Sequence, residues 1–148
     1  MIGRIPMFLR KLMTTTAPTS ILLIRLTVGL VFLSEGIQKF LFPDAVGVGR
    51  FIKIGLPALE FLAYFVGVFE ITCGVLIVLG LLTRLAVIPT ITIMLVAIAS
   101  TKVPILMSEG FWKMAHEART DWAMLLGSMF LLIVGGGRRS FDAWLMRK

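Results

Sequence analysis

The stretch from Pro57 to Leu82 most constrains what this chain can fold into, since its only charges are Glu60 and Glu70. A bilayer core of about 30 Å needs about 20 helical residues at a rise of about 1.5 Å each. Three further runs are nearly as apolar. One extends over 20–42 and is closed by Pro43-Asp44. Another covers 85–106, entered through a tight turn at Thr83-Arg84 and marked near its end by Lys102 and Pro104. The last covers 120–136 and is stopped by Gly135-Gly136-Gly137. Over 148 residues the hydrophobic share is 58%, against about 45–50% in a soluble domain. The expected architecture is all-α: a polytopic membrane four-helix bundle over residues 20–137. An N-terminal segment (1–19) precedes it and a basic tail (138–148) follows.

Four spans return both termini to one side. That side holds Arg4, Arg10, Lys11, Arg84, Arg138, Arg139, Arg147 and Lys148, against Arg50, Lys53, Lys113 and Arg119 on the other. The positive-inside rule therefore predicts cytoplasmic termini. Trp112 and Trp122 fall at the outer interface and Trp144 at the inner one, as aromatic belts require. The net charge of +7 is accounted for by topology and anionic lipid. No nucleic-acid motif accompanies it, so nucleic acid is not an expected partner.

One cysteine, Cys73, rules out an intrachain disulfide or CxxC pair, and one histidine, His116, rules out a haem held by two histidines of the same chain. His116 with Glu117 and Asp121 matches no standard metal-ligand spacing, so no metal is expected. Of the outer loops, Gly47–Pro57 reads as a short amphipathic turn in the interface and Glu109–Asp121 as a short helix.

The informative residues are the charges inside the spans. A charge at membrane depth costs roughly 2.5–3.5 kcal/mol on insertion scales, so each needs a partner, a cavity or a ligand. The spans place Glu35, Lys39 and Lys102 in an outer polar layer, with Glu60, His116 and Asp121 within reach. Arg25 and Glu70 fall in a deeper layer with Thr72, Thr90 or Thr92. Glu35 and Lys39, one turn apart, are expected to neutralise each other, and Arg25 and Glu70 to form the deep pair. Arg25, Glu35, Lys39, Glu70 and Lys102 line the expected polar cavity. The alternative is that they only fix helix register, with Lys39 and Lys102 snorkelling to the headgroups. A pattern of glycines seven apart, Gly29 with Gly36 and Gly67 with Gly74, would make a seam for close helix approach.

RLTVGLVFLSEGIQKF in the first span, GVFEITCGVLIVLGLLTRLA in the second and GGGRRSFDAWL near the end resemble the DoxX family of small membrane proteins. The resemblance rests on Arg25, Gly29, Gly36 and Lys39, then Glu70, Gly74, Gly80 and Arg84, then the glycine run with Ser140 and Asp142. Many members of that family carry a histidine before the first-span glycine, where this chain has Glu35. The resemblance implies a four-helix membrane bundle associated with respiratory or sulfur redox chemistry. Some members are named as subunits of quinone-linked oxidoreductases, others as partners in thiol-redox complexes. With no cofactor ligands visible in the chain, the expectation is an accessory or quinone-binding subunit beside a redox partner protein, in the bilayer, alone or as a homo-oligomer. The competing expectations are a small transporter or permeability protein using the same charges, and a non-catalytic assembly protein.

Overall fold

A computed structural model describes residues 6–55 and 59–147. Arg4, Lys148 and the expected start of the second span at Pro57 lie outside the described residues. The described chain is helical throughout, without a strand. In order it forms α1 (Met7–Met13), α2 (Ile21–Leu41), α3 (Val48–Lys53), α4 (Leu59–Leu79) and α5 (Thr83–Ala97). A five-residue π-helical segment (Ile98–Lys102) leads into α6 (Val103–Glu109), followed by α7 (Phe111–Glu117), α8 (Arg119–Val134) and α9 (Phe141–Met146).

Among the described residues, three helices are long and apolar enough to cross a membrane: Ile21–Leu41, Glu60–Leu79 and the continuous Thr83–Glu109. With 16 residues, α8 is shorter than the roughly 20 that a perpendicular crossing needs. It nevertheless packs lengthwise on α5 and touches α2, while α4 packs on α2 and α5. The four helices thus close into a bundle. Its core holds Val28, Phe32, Ile77, Val87 and Leu131, together with Cys73 as a small buried apolar group.

The seam between α2 and α4 is close, and glycine makes it so. A Cβ on Gly36 would stand 2.8 Å from the Gly67 carbonyl oxygen, and one on Gly74 would stand 2.9 Å from the Gly29 carbonyl oxygen. The antiparallel helices therefore touch backbone to backbone at two levels, one glycine pair above the other.

At one end of the bundle, here the latch end, α4 stops in a Schellman motif. The Leu81 N–H bonds the Leu76 carbonyl and the Gly80 N–H bonds the Ile77 carbonyl. Gly80 takes a φ of +71°, which a glycine adopts without steric cost. The chain then turns through Leu82 into α5. Both ends of the chain pack here, as α1 contacts α5 and α9. Neither short helix was anticipated within the segments 1–19 and 138–148, because helices of six or seven residues carry too little periodicity to read.

Arg84 binds this end together. Its guanidinium donates to the carbonyls of Lys11, Leu12 and Thr14 from the α1 side, and to those of Leu132 and Ile133 at the close of α8. The last carbonyls of a helix have no intrahelical partner, and a forked, always-charged donor suits them.

Candidate functional site

The charges inside the bundle are partnered differently from the sequence expectation. Lys39 Nζ lies 2.5 Å from Glu70 Oε2, and both side chains are almost fully buried. Helix direction explains the pairing. Side chains lean toward the N-terminus of their own helix. Lys39, near the end of α2, leans back into the bundle, while Glu70, midway along antiparallel α4, leans toward it. The Gly36–Gly67 contact sets the stagger that lets them meet. Lys39 is thus drawn inward, opposite to the snorkelling direction, and its expected neutralisation by Glu35 is not formed.

The expected Arg25–Glu70 pair is not formed either. Arg25 belongs to the latch end, where Nη1 donates to the Gly136 carbonyl at 2.6 Å. Asp142 lies close enough to act electrostatically on Arg25. The Asp142 carboxylate accepts from the Leu82 N–H at 2.7 Å and the Thr83 N–H at 3.1 Å, so it caps α5 at its positive end. Its own N–H donates to the Gly80 carbonyl. Burial pushes the Asp142 carboxyl above the usual carboxylate range, against the pull of those N–H donors and of Arg25. Ser140 caps α9 by accepting from the Ala143 N–H. Arg25, Gly80, Arg84, the glycine run, Ser140 and Asp142 therefore form one hydrogen-bonded latch.

Lys102 meets Asp121 at 3.3 Å. The π segment makes this possible. Pro104 has no N–H to give, and the Val103 N–H reaches back five residues to the Ile98 carbonyl. Such a bulge shifts the phase of the helix and turns Lys102 in against α8. Glu60 is exposed, and exposed His116 is occupied by Arg119. Neither joins the polar layer. Thr90 is bonded to Val87 and Ser128 in the core, away from both ion pairs.

Above the Lys39–Glu70 pair lies a cavity of about 520 Å³. Its back wall is α2 (Val31, Phe32, Glu35, Lys39) and one side is α4 (Leu62, Phe65, Val66, Glu70). The other side is α5 and the π segment (Met94, Ala97, Ser100, Thr101), with Asp121 and Met124 of α8 behind. Arg50, Phe51 and Ile54 of the α3 region form its rim. Toward this end α4 packs little on the π segment or α6, so the helices part. The gap is flanked by Phe65 and Val96, both about half exposed.

Two charges of the wall stand out. Glu35 is half-buried and makes no ion pair among the described residues, and Arg50 on the rim makes none either. Both lie close enough to act electrostatically on Glu70. Lys39 spends one N–H on Glu70 and has two more to give. The site therefore offers an acid able to take or give a proton, two cationic donors, and an apolar enclosure. Of the sequence candidates, the structure brings Glu35, Lys39 and Glu70 to this cavity. Arg25 stands at the far end, and Lys102 is spent on the α8 contact. Arg50 was not anticipated as a site residue. Only the amphipathic character of its loop hinted that the segment folds back on the bundle.

Residues 20–103 match the DoxX family model. The chain is 53% identical over 144 residues to an uncharacterized membrane protein of Mycobacterium tuberculosis, covering 93% of this chain and 88% of that one. It is 28% identical over 126 residues to a Bacillus subtilis protein named "Putative oxidoreductase CatD", covering 85% and 87%. No solved structure matches the chain.

Proposed function

The chain belongs to the DoxX family of membrane proteins, and from that premise we infer that it holds a quinone headgroup in the cavity between α2, α4 and α5, as an accessory subunit of membrane redox chemistry. The observation that carries this reading is the gathering of an acid that makes no ion pair among the described residues, Glu35, with cationic donors, Lys39 and Arg50, around an apolar cavity that opens between α4 and the third long helix. Ligand pockets of roughly 300–1,000 Å³, mostly apolar with a few placed polar groups, are the usual form of a small-molecule site.

The residues fit such a headgroup. A quinone presents two carbonyl oxygens on a flat apolar ring, and Lys39 and Arg50 supply N–H donors for those oxygens. Phe32, Phe51 and Phe65 give the ring a surface, and the gap between α4 and the π segment leaves a way out for an isoprenoid tail. When bound, the quinone would supply two-electron redox chemistry, and the electrons would come from a partner protein carrying its own centre. The task left to this chain is to orient the oxygens and to exchange a proton at the Glu35 carboxyl. Lys39, fixed by Glu70, lines the cavity with N–H groups still to give. The Bacillus subtilis relative's name is consistent with a redox setting, and the expected location is the bacterial plasma membrane, with cytoplasmic termini.

The reading is tested by calorimetric titration of the detergent-solubilised protein with a short-chain quinone such as decylubiquinone. Saturable binding at one site per chain, weakened about tenfold by Glu35→Gln or Arg50→Gln, is expected. Binding that both substitutions leave unchanged would place the quinone elsewhere.

A further inference from the structure

We propose that the latch end carries a specific site for the headgroup phosphate of an anionic phospholipid. A shallow groove of about 630 Å³ lies where α4 ends and α9 begins, lined by Arg25, Arg138, Arg139 and Arg147, with Phe141 and Trp144. No acidic side chain is among its walls. Asp142 lies close enough to act on the charge of Arg25. The three other arginines are exposed and make no ion pair among the described residues.

A second observation points to a ligand. Arg25 is 3% exposed, and its Nε is buried without a hydrogen-bond partner among the described residues. An unmade hydrogen bond on a buried charged group is costly, and Arg25 lines this groove, so an anion seated there would act directly on its charge. Arginine is also the side chain best suited to phosphate, since its fork donates two parallel N–H bonds.

The surroundings favour a lipid as the source of the phosphate. The groove also touches Val78 and Leu79 at the end of α4. From there α4 continues with Leu79 and Val75 exposed, an apolar track one turn long on which acyl chains would lie. The Trp144 and Phe141 rings, 6.3 Å apart and edge to face, stand at the level where aromatic side chains meet headgroups. Basic pockets at the ends of membrane helices bind anionic headgroups by this combination of charge and interface position.

The test is native mass spectrometry of the full chain in mild detergent, mixed with equal amounts of phosphatidylglycerol and phosphatidylcholine. Preferential retention of one phosphatidylglycerol is expected. The double substitution Arg138→Gln/Arg139→Gln should reduce that retention at least tenfold, and Arg147→Gln alone should reduce it severalfold. Arg10→Gln/Lys11→Gln removes the same charge from α1, which lines no part of the groove, and should change it less than twofold. Equal retention of the two lipids, or equal losses in the two double variants, would overturn the proposal. So would displacement of the lipid by millimolar inorganic phosphate, which would assign the groove to a soluble anion.

Discussion

Lys39 of α2 and Glu70 of α4, 31 residues apart in the chain, meet at 2.5 Å inside the bundle, one turn from the contact between Gly36 and Gly67. The glycines bring the backbones together, the opposed helix directions aim the side chains at each other, and the pair forms the floor of the cavity. Its consequences are measurable.

Removing one member leaves the other buried and uncompensated. Lys39→Met should destabilise the fold by about 3 kcal/mol, as for other buried pairs broken from one side. Lys39→Met with Glu70→Leu should recover most of that loss, because two apolar groups need no partner. Thermal unfolding of the singles and the double in detergent gives the coupling directly, and additive losses would show that the pair is not a unit.

The glycine contact should be intolerant of a single methyl group. Gly36→Ala places a Cβ 2.8 Å from both the Gly67 carbonyl oxygen and the Ile71 backbone nitrogen, and backbone cannot step aside as a side-chain end can. A loss of about 1–3 kcal/mol is expected for this overpacking, read as a lowered melting temperature. A neutral result would mean that α2 and α4 are farther apart than described.

Arg84→Lys tests the latch. One ammonium cannot reach the five carbonyls that the guanidinium spans. We expect a loss of about 1 kcal/mol and faster hydrogen exchange in α1 and at the end of α8. The lysine keeps the charge at this end, so the orientation of the chain in the membrane should not change.

Hydropathy shows where the long helices run, because an apolar residue in a membrane helix is needed wherever lipid or core meets the chain. Of the loop helices, α7 lies within the stretch Glu109–Asp121 whose mixed polarity reads as a short helix, whereas α3 forms where the sequence reads as an amphipathic turn. Partner choice among the charges was not legible. It depends on the relative rotation and stagger of helices distant in the chain, which no single span encodes. The spacing of Gly29, Gly36, Gly67 and Gly74 contained that stagger, but only the three-dimensional contact shows that Gly36 faces Gly67 and therefore that Lys39 faces Glu70. Arg25 and Asp142 illustrate the same limit. Their association depends on α9 folding back against the α4–α5 turn, and a six-residue helix leaves no periodic trace. Lys102 and Asp121 share the outer polar layer already in the sequence, but the π segment before Pro104 supplies the phase at which they meet.

A quinone carried through purification tests the cavity as a quinone site most directly. Protein extracted from bacterial membranes in a mild detergent should retain close to one quinone per chain, quantified by mass spectrometry and by redox difference absorbance. Glu35→Gln with Arg50→Gln should lower that ratio at least tenfold while the melting temperature holds. Wild-type protein retaining no quinone, or a double variant retaining as much as the wild type, would contradict the assignment.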